Sequence, residues 1–253
     1  MQVTFLGTGT SQGIPVVACG CEVCLSQDHR DKRLRSSVLV ELVGITLVID
    51  AGPDFRQQML IENVKNLDGI LLTHGHKDHI GGLDDVRSFN WVLQKAIGVY
   101  ASAETHHQIK KEFYYAFGEN RSPGVPDMKL IEIGNEPFVV ADTEIIPILA
   151  FHNQMQVLGF RIKDFTYITD ANYIPEKELD KARGSKVLVL NALRKKKHVS
   201  HFTLDQAIEI IEKVIPETAY LTHLSHQMGF HGVVEKELPF NVQIAFDRLR
   251  LDL

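Results

Sequence analysis

Residues 74–79 read His74-Gly75-His76-Lys77-Asp78-His79, directly after the apolar run 69–73. Three imidazoles and a carboxylate in six residues would be left without partners in a core, where every polar group needs one. At a strand end they can converge instead. Imidazole nitrogens and carboxylate oxygens are donors that zinc, manganese and iron accept. Gly75, Gly81 and Gly82 give the loop the backbone freedom a tight chelating turn requires. Four donors in one segment can be shared between two ions if others arrive from elsewhere. The sequence places them beyond apolar runs: His152 after the run ending at Leu149, Asp170 after Tyr167-Ile168-Thr169, and His223 after Tyr220-Leu221-Thr222.

The cysteines form a second cluster. The 253 residues contain only Cys19, Cys21 and Cys24, and an odd, tight group is no disulfide framework. It reads as a metal site lacking one ligand. A net charge of 27 − 32 = −5 argues against gripping long nucleic acids by bulk charge. No apolar run approaches the ~18 residues of a membrane span, and no basic region followed by a long apolar stretch opens the chain. The expectation is a cytoplasmic protein with no membrane partner.

Strands are expected at 3–6, 37–42, 45–50, 69–73, 97–101, 129–133, 138–140, 143–149, 157–162, 165–169, 186–190, 219–222 and 242–249. Helices are expected at 53–61, 83–93, 104–117 and 204–214, the last capped by Ser200 or Thr203. Segment 118–127, rich in turn residues, reads as a loop that could serve as a flap. No linker or change of composition divides the chain, so 1–253 reads as one domain of two face-to-face sheets with helices outside.

The 74–79 signature, the opening Phe5-Leu6-Gly7-Thr8-Gly9-Thr10 and the later His152, Asp170 and His223 resemble the metallo-β-lactamase superfamily over nearly the whole chain. The resemblance implies an α/β fold, a four-layer αββα sandwich, with a dinuclear site holding zinc or manganese. His74, His76 and His152 would hold one ion, Asp78, His79 and His223 the other, and Asp170 would bridge them. The pattern Cys19-x-Cys21-x-x-Cys24, with Leu221-Thr222-His223-Leu224-Ser225-His226, is similar to the PhnP-like branch, that of the phosphoribosyl cyclic phosphodiesterase. It implies a structural zinc on the three thiolates and His226, in a loop near 18–26. Such a four-ligand set has no open position.

From the resemblance follows a metal-dependent phosphoric diester hydrolase acting on a small sugar or nucleotide phosphodiester, cyclic or open, with no covalent intermediate. Asp78 and His201 are the expected catalytic residues, His201 facing the leaving group and His198 the alternative to it. Asp170 stands where lactamases carry cysteine, which favours a phosphodiester. A tRNA 3′-processing-type endonuclease is the second reading, disfavoured by the net charge. A PqqB-like cofactor-biosynthesis or carrier protein is the third, although a binding module would not need all seven ligands. The basic run Arg194-Lys195-Lys196-Lys197 could attract an anionic substrate. Asn191 stands where many relatives carry Asp, and an amide would orient a ligand histidine less strongly. His29, His106, His107 and His231 fit no ligand pattern and read as surface residues. Trp91 reads as core, or as an anchor in a homodimer.

Overall fold

The computed structural model describes residues 1–118 and 122–253. Fourteen strands among them form two seven-stranded sheets. The first contains β1 (Gln2–Gly7), β2 (Ser37–Leu42), β3 (Ile45–Ile49), β4 (Gly69–Leu71), β5 (Ile97–Ala101), β6 (Met128–Glu132) and, at its far edge beside β1, β14 (Arg250–Asp252). The second runs β13-β12-β11-β10-β9-β8-β7, with β7 (Phe138–Val140), β8 (Thr143–His152), β9 (Met155–Ile162), β10 (Phe165–Ile168), β11 (Val187–Asn191), β12 (Thr218–Thr222) and β13 (Val242–Ile244).

Both sheets change from antiparallel to parallel pairing part-way across. The parallel pairs are β3 to β6 in the first and β10 to β13 in the second. Parallel strands need crossover helices, and these cover the outer faces. Helices α2 (Phe55–Ile61), α4 (Val86–Leu93) and α5 (Ala103–Glu112) serve the first sheet, while α6 (Glu176–Ala182) and α7 (Leu204–Val214) serve the second. Short helices α1 (Glu22–Leu25), α3 (Lys77–Ile80) and α8 (His231–Val234) sit in the connections. Phe5, Val40, Leu47, Phe160, Tyr167 and Val189, all buried, fill the space between the sheets. The layers are therefore αββα.

Local chemistry explains the boundaries. Helix α7 buries Leu204, Ala207, Ile211 and Val214, spaced to share one face. Its cap is Thr203: the Thr203 hydroxyl accepts from the Gln206 N–H, and Gln206 Oε1 accepts from the Thr203 N–H. Of the expected strand 242–249 only Val242–Ile244 is strand, β13; the chain then leaves that sheet and crosses to the other, where β14 begins at Arg250. Helix α6, beginning after Pro175, was not anticipated. The helices expected at 83–93 and 104–117 each include a 3₁₀ turn, at Leu83–Asp85 and Tyr114–Ala116. Part of the expected flap, residues 119–121, lies outside the described residues.

Some surface assignments are corrected. His106 and His231 are buried, the first against the Val99 carbonyl and the second beside Arg33 and Glu235, so polar partners on neighbouring elements accommodate both. Trp91 is 79% exposed, not core, because Val86 and Phe89 supply the inward face of α4.

Candidate metal centre

The donors meet at the edge of both sheets where parallel strands end. Asp50 follows β3, Asp170 follows β10 by two residues, and His223 follows β12. All three have left-handed backbones, with φ of 65°, 56° and 56°. Asp and His adopt that region more readily than most residues, and strain of this kind collects at functional sites. Helix α3 carries Asp78 and His79 and lies close on the loop after β3. A Cβ on Gly52 would fall 1.9 Å from the Asp78 carbonyl oxygen, so only glycine permits this approach.

Asp170 is the hub. Its Oδ2 lies 3.1 Å from Nε2 of both His79 and His223, and its Oδ1 is 3.6 Å from His201 Nδ1. Asp78 Oδ2 is 3.2 Å from His79 Nε2 and 3.7 Å from His223 Nε2. Three overlapping donor sets result: His74, His79 and Asp170; Asp78, His79 and His223; and His152, Asp170 and His201. His76 belongs to none of these tight sets, but its ring centroid lies 4.6 Å from that of His74 and 5.2 Å from that of His152. Six of the seven expected ligands thus share these sets, and the seventh stands beside them. His201 joins His152 and Asp170 in one set, and His198 lies behind it with centroids 5.1 Å apart.

Sequence reasoning missed the group that orients the rings. Fully buried Asp50 accepts from His79 Nδ1 at 2.7 Å and from the Thr73 N–H and hydroxyl at 2.9 Å each. The Thr73 hydroxyl oxygen is in turn 3.0 Å from His74 Nδ1. One carboxylate therefore fixes two imidazoles, leaving their Nε2 atoms pointed into the centre, the arrangement that orients metal-bound histidines. His152 Nδ1 donates to the Asp170 carbonyl at 2.9 Å and is fixed in the same way. Among the described residues Asn191 makes no hydrogen bond to a histidine. Its amide makes two hydrogen bonds with the Ala171 backbone and pins the turn just after Asp170.

The electrostatics are those of a site that wants cations. Burial presses the Asp170 carboxyl upward, but His223 and His79 outweigh it and hold the pKa well below the usual range. Burial presses His79 down, yet Asp50, Asp170 and Asp78 raise it well above an ordinary histidine. Burial and the neighbouring His79 push His74 well down, and burial and His223 bring His201 to about 3. Nε2 of His74, His79 and His223 is buried with no hydrogen-bond partner among the described residues. Orphaned buried nitrogens are costly, and bound cations would satisfy them. The 3.1 Å spacings are near the ~3.4 Å separating N and O ligands around a tetrahedral zinc.

The cysteine cluster is a separate, compact set. Sγ of Cys19, Cys21 and Cys24 lies 3.4, 3.3 and 3.4 Å from His226 Nδ1. Sulfur and nitrogen ligands of a tetrahedral zinc are ~3.6 Å apart, so this set fits one ion. The Cys24 backbone N–H brings Cys21 down to about 6, while burial pushes Cys24 up to about 11.

A family model described as the beta-lactamase superfamily domain matches residues 46–224. The crystal structure of a new diphosphatase from the PhnP family superposes with a TM-score of 0.93 at 38% identity, covering 100% of this chain and 97% of that one. The chain is a PhnP-like member of the metallo-β-lactamase superfamily. The fold implies divalent metal ions. This PhnP-like chain is also 38% identical over 252 residues to an octanoyltransferase of Porphyromonas gingivalis, covering 98% of the chain but 51% of that protein. It therefore spans about half the length of that curated relative. Zn(2+)-bound PqqB from Methylobacterium extorquens shares the fold, with a TM-score of 0.77 at 19% identity over 100% of both chains.

Proposed function

We propose that the chain hydrolyses a phosphoric diester or diphosphate linkage in a small organic phosphate, cyclic or open, using two divalent ions. His74, His76 and His152 would hold one ion, Asp78, His79 and His223 the other, with Asp170 between them. The observation that carries this reading is the buried Asp170 carboxylate with two imidazole Nε2 atoms at 3.1 Å and further orphaned nitrogens around it. Bound zinc or manganese supplies Lewis acidity toward a phosphoryl oxygen and makes water acidic enough to attack at neutral pH. The protein's part is to hold the donors, orient the substrate and handle the leaving group.

Asp50, through His79 and Thr73, keeps the ring faces fixed, so little reorganisation is needed as charge develops. His201, with a pKa of about 3, is neutral at physiological pH. In this reading it donates a neutral N–H hydrogen bond to a phosphoryl or leaving oxygen rather than delivering a proton from an imidazolium. Cys19, Cys21, Cys24 and His226 would hold a structural zinc that ties the N-terminal loop to the turn carrying His223.

Acyl transfer through an acyl-enzyme, one route suggested by the name of the Porphyromonas relative, would need a nucleophilic side chain to carry the acyl group. The three cysteines are gathered at His226, away from the histidine cluster, which favours hydrolysis by water. A nuclease acting on tRNA ends is less well supported, since net charge −5 opposes a long polyanion. The test is turnover of bis(p-nitrophenyl) phosphate and of a ribose cyclic phosphate by the metal-reconstituted chain. Hydrolysis lost in His76→Ala and Asp170→Asn supports the reading. Undiminished activity in either variant contradicts it.

A further inference from the structure

Two clefts open from different ends of the histidine cluster. One, about 330 Å³, lies against α5 and is lined by His74 and His76 together with Lys77, Glu104, Gln108 and Glu112. The other, about 230 Å³, lies beyond β11 and is lined by His198 and His201 with Arg194 and Ser11. His152 stands between them, its ring 5.2 Å from His76 and 4.6 Å from His201. An ester whose phosphorus sits among the donors therefore has one arm on each side.

The two sides differ in charge. In the α5 cleft Lys77 is neutralised by Glu112 at 2.7 Å, and Gln108 Nε2 donates to the other oxygen of that carboxylate at 3.3 Å. Among the described residues, Glu104 then leaves this side with one net negative charge, alongside amide and hydroxyl groups suited to hydroxyl-bearing ligands. No carboxylate among the described residues lines the β11 cleft. Arg194, which lines the cleft, donates to the carbonyls of Lys196 and Lys197 and so holds the basic run next to it, between the lining residues Arg194 and His198. The side chains of Lys196 and Lys197 are exposed and have no ion pair among the described residues.

We infer that Glu104 and the Lys196–Lys197 pair are specificity-determining residues that fix the direction in which the substrate lies, an uncharged, hydroxyl-bearing arm against α5 and an anionic arm against the β11 side. This rests on the hydrolytic reading above and adds to it a charge filter that none of the metal donors provides. Glu104 repels an anion from the α5 cleft, while the two lysines attract one at the opposite end. Both act through field rather than contact with the reacting atoms, so neither is a catalytic residue.

Symmetrical esters remove any ambiguity about orientation. Bis(4-carboxyphenyl) phosphate must place an anionic arm in the α5 cleft, whereas bis(4-carbamoylphenyl) phosphate places a neutral one there. The measurement is the ratio of kcat/KM for the charged ester over the neutral ester, in which differences of intrinsic reactivity cancel between variants. Glu104→Lys should raise that ratio about tenfold and Glu104→Gln about threefold. Lys196→Glu/Lys197→Glu should lower it severalfold, and added salt should shrink all three effects. A structural role alone would change both esters together and leave the ratio fixed. Ratios within twofold of wild type in all three variants would overturn the inference while leaving the hydrolytic reading intact. No turnover of either ester by the metal-loaded wild type would overturn both.

Discussion

The two donor clusters share a single turn yet are built on different principles. The segment after β12 gives His223 to the histidine-carboxylate centre and, three residues later, His226 to the cysteine cluster. In the first, donors come from five separated places in the chain, are aimed by Asp50 and Thr73, and face two clefts. In the second, three thiols from six residues close around one imidazole, with every contact between 3.3 and 3.4 Å. Mixed N and O donors that open onto space suit chemistry, whereas sulfur-rich closure suits stability. Through the shared turn, a zinc in the second cluster would brace the first.

The largest effect that would sharpen this contrast is expected from Asp170→Asn. Loss of the hub charge should lower kcat on bis(p-nitrophenyl) phosphate by at least about 10³-fold, while the cysteine cluster keeps its zinc in metal analysis. His201→Ala should lower kcat by about 10²-fold with metal content unchanged, since the proposal assigns it no ion. Loss of a metal in that variant would show that the donor set with His152 and Asp170 is a true ligand group. Asp50→Asn removes the carboxylate that orients two rings and should weaken metal affinity of the centre ~10–100-fold. Competition with a chromogenic chelator would measure it.

On the other side of the comparison, Cys21→Ser should remove one metal per chain and lower the melting temperature, with the dinuclear donors still loaded. Unchanged metal stoichiometry would contradict the structural zinc. The smallest effect concerns the support beneath that loop. Burial holds the Asp247 carboxyl near 6, above its ordinary value, against the N–H of Leu34 and the hydroxyl of Thr8. A carboxyl raised in the folded state contributes stability that is complete below the unfolded pKa and is lost as pH rises through about 6. Wild type should therefore lose a few degrees of melting temperature between pH 4 and 7 that Asp247→Asn does not lose. Parallel melting curves for the two proteins would contradict this.

The donors were legible because they are chemically conspicuous where they stand. A run such as Tyr167-Ile168-Thr169 ending in Asp170 announces a strand with a polar group at its edge, and His74 to His79 is too polar for a core. Asp50 was not legible, although it ends a strand in the same way, because its partners His79 and Thr73 are 29 and 23 residues away. Nothing local distinguishes it from a strand terminus. Asn191 stands out in the sequence as a place for a histidine-orienting carboxylate, but its actual contact, with the Ala171 backbone, is a tertiary fact. The sequence reading carries β13 on to residue 249, because apolar residues continue past Ile244 and cannot show that the chain leaves the sheet there. Burial of His106 and His231 was hidden for a related reason, as the groups that accommodate them lie on other elements.

The most direct measurement is anomalous diffraction at the zinc edge from crystals of the wild-type chain grown with zinc. Density is expected at two separate places, first as a pair of ions flanking Asp170, one among His74, His76 and His152 and one among Asp78, His79 and His223, and second inside the tetrahedron of Cys19, Cys21, Cys24 and His226. In Cys21→Ser crystals only the first should remain. Anomalous density at the cysteines alone, with none beside Asp170, would contradict the claim that the histidine-carboxylate cluster is a metal centre.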